Sequence, residues 1–270
     1  PDREGNITVD ALKKALRPDT ILVSVMMVNN ETGEIFDIHS IRRNAHNALF
    51  ACDATAAVGQ IPVDFKALGV DYLAFGAHKF GGISGIGCLI VKKDTPLISM
   101  IRGGGQEWGK RGGTESVALA CAMAAALHER TNKMLIGMKQ IALCRDLLIT
   151  NLFRFVPDTY VNGPYTPGDV ILRLPGNANL SFLGVESQAL VMALSAEGVY
   201  ASSGSACTSG EADGSYVLRA MGYPASRATS AVRFTLPYTV TEDDILGAVP
   251  LIVSTVEKLR RLTPEKYLEM

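Results

Sequence analysis

From residue 20 to 28 the chain reads TILVSVMMV, a nearly unbroken apolar run rich in β-branched residues and bounded by RPD and NNETG. Such a run predicts a strand buried on both faces of a parallel sheet. Ahead of it, Val9, Leu12 and Leu16 recur at helical spacing. After it, a helical pattern passes through Ile41 and Leu49. LFACDAT then predicts a short strand ending at Asp53, VDFKALG a short helix, DYLAFGAHK a strand ending near Lys79, and GIGCLIVKK one more strand. Strands that alternate with helices specify an α/β layout.

The pattern changes at Thr114. From 114 to about 154 the sequence is helical with few breakers, and its most apolar part, 117–127, reads as a buried helix too short for a membrane span. Beyond GPYTPGD come short strand patterns, DVILRL, NANLSF and AVRFTL, separated by helical patterns over 187–196 and 241–262. These predict a second, smaller α+β domain that shares the long helix and packs closely, with no internal repeat and no low-complexity linker.

Composition narrows the function classes. The 270 residues are 47% hydrophobic, enough for a sizeable core. The 26 Lys and Arg against 27 Asp and Glu give a net charge of -1, so no global field favours nucleic acid or an anionic membrane. Five cysteines (Cys52, Cys88, Cys121, Cys144 and Cys207) are odd in number and widely spaced, without a CxxC pair. That argues against a disulfide framework or a zinc site and for a reducing compartment, the cytoplasm or one like the mitochondrial matrix. Four of them lie in apolar strand or helix patterns and read as core. No signal peptide pattern is visible, and the sequence opens on Pro1 rather than Met, so a preceding segment is expected.

In open α/β sheets ligands gather at the carboxyl ends of strands. Asn29 and Asn30 follow the first predicted strand, Asp53 ends the second, and His78 and Lys79 end the third. These groups are expected to converge. A lysine desolvated beside a cleft becomes a nucleophilic amine. With an aspartate to hold a pyridine nitrogen protonated, it forms the electron-sink pair of pyridoxal phosphate chemistry. Taken singly, each has a plainer reading: a solvated turn lysine, or an aspartate that caps a helix. His39, His46 and His128 have no partner at ligand spacing, and no metal site is expected. Cys207 stands apart, set in SSGSACTSGEADGS, where glycine, serine and other small residues replace the apolar neighbours a structural cysteine normally has.

Five stretches, VNNETG, DATAAVGQIPVD, FGAHKFGGISGIG, GGGQEWGKRGGT and SSGSACTSGEADGSYVLRAMG, occur in an order and spacing that resemble cysteine desulfurases of the NifS/IscS type. The resemblance runs along essentially the whole chain. It implies the fold of pyridoxal phosphate-dependent transferases, aminotransferase class V: a mostly parallel central sheet flanked by helices, plus a smaller C-terminal α+β domain. Residues 1–130 would then be the C-terminal portion of the large cofactor-binding domain and 131–270 the small domain with the cysteine loop, the long helix lying at the boundary. Lys79 would hold the cofactor as a Schiff base and His78 would tune its protonation. Asp53 would face the pyridine nitrogen and Asn30 the ring oxygen. Thr114 would reach the phosphate of a neighbouring subunit in a homodimer, and Arg233 would clamp the carboxylate of L-cysteine. Cys207 would take the sulfur as a persulfide, leaving L-alanine, and carry it to an acceptor or scaffold protein for iron–sulfur cluster or thio-cofactor assembly.

Three departures accompany the resemblance. Ala56 stands where the family has a glutamine and Gly76 where it has a serine, each removing one cofactor hydrogen bond. The family's N-terminal part, with its phosphate-binding turn and the ring-stacking histidine, has no counterpart here. A separate N-terminal fragment that completes the fold is therefore expected. A weakened desulfurase-like scaffold or sulfur-relay protein is the alternative these departures motivate. Another class V enzyme, an aminotransferase or selenocysteine lyase, is the third reading, and the cysteine loop disfavours a plain aminotransferase.

Overall fold

A computed structural model describes residues 1–204 and 214–262, which fall into two compact units. One comprises Leu12–Met27 and Asp37–Met134; the other comprises Pro1–Ala11, Val28–Phe36 and Leu135–Met270. The division cuts the long helix between 134 and 135, and the segments Pro1–Ala11 and Val28–Phe36 fall in the unit that holds the C-terminal half.

The first unit is built on a four-stranded sheet in the order β1 (Leu22–Met26), β2 (Leu49–Asp53), β3 (Tyr72–Gly76), β4 (Gly87–Val91). The first three strands are parallel and β4 runs antiparallel to β3. Phe50, Leu73, Ile38, Ile41, Ala54, Ala57 and Phe80 are buried around it. The connecting helices are short: α2 (Ile38–Arg43) is capped by Asp37, whose carboxylate accepts the Ser40 N–H, and α3 (Phe65–Leu68) by Asp64 in the same way. Asp71, just before β3, is buried and accepts the Phe50 N–H at 2.9 Å while Arg42 and Lys92 approach it at 3.4 and 3.7 Å. It fastens the entrance of β2 to β3.

Several expectations are corrected here. β1 is not buried on both faces: among the described residues it is an edge strand, with Leu22 48% exposed and the preceding Ile21 82% exposed. The helix expected through Ile41 and Leu49 ends at Arg43, because Asn44 closes it and Leu49 already opens β2. β3 ends at Gly76, and His78 and Lys79 sit on a 3-10 turn, Ala77–Phe80. The long helix α5 (Val117–Phe155) begins on an exposed stretch rather than a buried one: Val117 is 67% exposed and Cys121 is exposed, where a core position was expected. Its buried residues start only at Met138.

The second unit holds an antiparallel sheet in the order β5 (Thr159–Val161), β6 (Asn177–Phe182), β8 (Ala231–Thr235), β7 (Ser202–Ser203). The last turns of α5 pack Leu148, Ile149 and Leu152 into its core. There they meet Leu190 and Leu194 of α6 (Ser187–Ala196) and Val249, Ile252 and Val256 of α9 (Glu242–Leu262). Two short helices, α7 (Tyr216–Ala220) and α8 (Ala225–Thr229), form a small satellite cluster with Val217, Leu218 and Ala228. DVILRL is not a strand. Asp169 draws the N–H groups of Ile171, Leu172 and Arg173 onto its carboxylate, a side-chain turn that competes with extended pairing, and only one isolated bridge, Glu34 to Arg173, forms there.

Candidate active site

In the first unit, Asp53 closes β2 directly opposite Ala74 of β3, so its carboxylate and the turn bearing His78 and Lys79 issue from the carboxyl ends of adjacent parallel strands. All three side chains are exposed. The Asp53 carboxylate takes one backbone bond, from the Thr55 N–H at 2.9 Å, and the Lys79 amine makes no ion pair or hydrogen bond among the described residues. The desolvation expected for Lys79 is thus not supplied by the described residues. Its backbone, by contrast, is fixed. Gln60 Nε2 donates to the Lys79 carbonyl at 2.8 Å, and Arg130 holds Gln60 in turn, donating to its Oε1 at 2.8 Å and to the Gly59 carbonyl at 2.9 Å. The pattern DATAAVGQIPVD contains Gln60 but does not reveal this role, which depends on a partner 70 positions away.

Gly76 has a local consequence. A Cβ built there would stand 3.1 Å from His78 Cε1 and 3.2 Å from Nδ1, so the imidazole folds back close against the strand end and a side chain at 76 would press on it. Thr114 lies exposed in the coil before α5. Cys52, beside Asp53, is buried, and burial with the neighbouring carboxylate pushes its thiol up to about 12. Burial also raises Cys88 and Cys144, so none of these three is a ready thiolate.

In the second unit, residues 29–33 form a turn built on Asn29, whose side-chain oxygen accepts the Glu31 and Thr32 N–H groups at 2.9 and 3.0 Å. Gly33 completes it at φ 76, packed so closely on Asn177 that a Cβ would come within 2.5 Å. Asn30 is exposed, and its carbonyl accepts a hydrogen bond from Arg233 Nη1 on β8. Arg233 Nε is buried with no hydrogen-bond partner among the described residues, and burial holds the guanidinium below its usual pKa, with Glu31 opposing the shift. Nη1 of Arg233 is therefore committed to the protein, while Nε is a donor without a partner among the described residues, the kind of group a planar anion such as a carboxylate takes up.

Glu31, which the sequence reading left without a role, is wholly buried. Ser215 Oγ donates to its Oε2 at 2.6 Å, whereas Oε1 has no partner; burial raises its pKa, and the Ser215 bond and Arg233 oppose the rise. Ser215 and Gly204 lie side by side here, since a Cβ on Gly204 would be 3.8 Å from Ser215 Cα. Cys207, between them in sequence, lies outside the described residues.

The structure thus groups Asp53, His78 and Lys79 in one unit and Asn30 with Arg233 in the other. The donor set fits pyridoxal phosphate: an uncommitted lysine amine and a carboxylate at adjacent strand ends, with an imidazole beside them.

The model of the family described as aminotransferase class-V matches residues 1–246. The chain belongs to this family. Its class V relatives include cysteine desulfurase IscS of Dictyoglomus turgidum, 40% identical over 98% of this chain and 66% of the relative, and cysteine desulfurase IscS of Clostridium botulinum, 35% identical over 99% of this chain and 68% of the relative. A solved class V structure, a NifS-like protein, superposes with a TM-score of 0.86 at 29% identity, covering 95% of this chain and 67% of that one. The chain spans about two thirds of the length of these relatives. Within class V it falls in the group of NifS/IscS-type cysteine desulfurases, and the α/β fold with its mostly parallel first sheet is that of the family. No helix among the described residues is long and apolar enough to cross a membrane.

Proposed function

We propose that the chain is a pyridoxal phosphate-dependent cysteine desulfurase, which removes sulfur from L-cysteine to give L-alanine and a persulfide on Cys207. The observation that carries the reading is a Lys79 amine without a partner among the described residues, on the turn that follows β3, with Asp53 closing the adjacent parallel strand β2. Lys79 would hold the cofactor covalently, Asp53 its pyridine nitrogen, Asn30 its ring oxygen, and Thr114 the phosphate bound by a neighbouring subunit. The cofactor, when bound, supplies an electron sink for the substrate Cα.

The remaining work falls to the protein. Arg233 offers its Nε edge to the substrate carboxylate and so fixes which end of the amino acid faces the reacting centre. His78 would take or return a proton at the Lys79 amine, a reading supported by its position next to Lys79 on the same turn. The Cys207 sulfur bonds to the substrate sulfur as the substrate carbon–sulfur bond breaks. The carbon gains a hydrogen to become alanine, and the thiol becomes a persulfide, so the atoms of one thiol and one cysteine are all accounted for. An acceptor or scaffold protein then receives the sulfur for iron–sulfur cluster or thio-cofactor assembly, in a reducing compartment such as the cytoplasm or the mitochondrial matrix.

A homodimer belongs to this reading and is supported by the exposed apolar side chains of Ile98, Met100 and Trp108. A separate N-terminal polypeptide segment laid along β1 is supported by exposed Leu22 on that strand and Ile21 just before it. The test is borohydride reduction of the protein loaded with pyridoxal phosphate, followed by peptide mass analysis. A pyridoxyl adduct on Lys79, absent from Lys79→Ala, is expected. An adduct confined to another lysine contradicts the assignment.

A further inference from the structure

Glu31 and Arg233 carry opposite charges and attract one another, yet no ion pair joins them: among the described residues the buried atoms Glu31 Oε1 and Arg233 Nε have no hydrogen-bond partner. A buried carboxylate and guanidinium within reach normally form a bidentate pair, because each left alone keeps its full desolvation penalty. Something holds them apart. On the Arg233 side, Nη1 is bound to the Asn30 carbonyl. Glu31 has its backbone carbonyl gripped by the side-chain amides of Asn177 and Asn179, each at 3.0 Å, and Asn179 lies opposite Arg233 in the β6–β8 register. Its carboxyl is drawn the other way by Ser215 Oγ at 2.6 Å. That hydroxyl is itself oriented, since it accepts the Leu218 N–H at 3.2 Å as the cap of α7.

We propose that Ser215 and Glu31 form a positioning pair for Arg233, in which the Ser215 hydroxyl keeps the Glu31 carboxyl off the guanidinium and so leaves the Nε donor uncommitted for the substrate carboxylate. The pair deepens the desulfurase reading and rests on its assignment of Arg233 to the substrate. Without the hydroxyl, Glu31 turns onto Arg233 and competes with the incoming carboxylate at its own site. The effect falls on substrate affinity rather than on chemistry. It also depends on the charge of Glu31: an amide at position 31 still accepts the Ser215 hydrogen bond but cannot compete as an anion.

The test is a double-mutant cycle in the cofactor-loaded protein, read by KM and kcat for L-cysteine and by calorimetric titration with L-alanine. Ser215→Ala is expected to raise KM and the L-alanine Kd about tenfold with kcat changed less than twofold, whereas Ser215→Thr, which keeps the hydroxyl, restores both. In a Glu31→Gln background, Ser215→Ala is expected to leave both constants within twofold. If Ser215 serves only as a helix cap, its removal lowers Tm and acts equally in the two backgrounds. Equal effects in both, or equal KM increases for Ala and Thr at 215, overturn the proposal. Should Glu31→Gln not fold, the Ala and Thr comparison decides alone. Failure of the wild-type protein to turn over L-cysteine counts against the desulfurase reading only. The L-alanine titration still tests the pair, with an unchanged Kd in Ser215→Ala, or no binding by the wild type, overturning it.

Discussion

Glu34 shows how far one side chain can tie this fold to pH. It is 2% exposed, both carboxylate oxygens lack a hydrogen-bond partner among the described residues, and burial, with Asp2 adding to it and Arg173 opposing, raises its pKa to about 7. Because the folded-state value lies above the ordinary 4.5, the native chain binds the proton more tightly than the unfolded one. The stabilisation is therefore complete below pH 4.5 and lost as the pH rises to about 7. Its size is on the order of 3 kcal/mol, at about 1.4 kcal/mol per pH unit. The stability difference between wild type and Glu34→Gln, followed by urea midpoints from pH 4.5 to 8, is expected to change by that amount in favour of the glutamine variant as pH rises. A flat difference contradicts it. Single residues were unevenly legible in the sequence. Lys79 and Asp53 stood out because their chemistry follows from type and local setting, whereas Arg233 came only from the resemblance to the desulfurase family. Glu31 did not, because its partner Ser215 is 184 positions away and nothing local marks the pairing.

Elements were easier to read where the local signal and the tertiary demand agreed. NANLSF and AVRFTL became neighbouring strands β6 and β8, and the helical pattern over Ser187–Ala196 became α6. DVILRL shows the reverse: its apolar alternation suits a strand, but Asp169 captures three following N–H groups, and only the single bridge of Glu34 to Arg173 forms. β1 was misjudged for another reason. An apolar run records what a strand can bury, and the described residues place a neighbour on one side only. The join between β2 and β3 rests on Asp71, which accepts the Phe50 N–H and faces Arg42 and Lys92. Asp71→Ala removes the acceptor and leaves that N–H unsatisfied, a loss of about 3 kcal/mol. The urea midpoint should fall accordingly, and near-wild-type stability would show that the carboxylate does not hold the strands.

For the whole molecule, the α/β alternation and five ordered motifs sufficed to place the chain among the class V proteins, and the family match over residues 1–246 agrees. The assignment of Pro1–Ala11 and Val28–Phe36 to the C-terminal unit was not legible, because it follows from non-local packing such as the Asn177 and Asn179 grip on Glu31. The most direct measurement is single-turnover reaction of the cofactor-loaded protein with L-cysteine, counting L-alanine formed and persulfide on Cys207. One alanine per persulfide is expected, with both lost in Cys207→Ala while the cofactor's visible spectrum is kept. Alanine formation that persists in Cys207→Ala, or cofactor-loaded protein that forms none, would contradict the desulfurase reading.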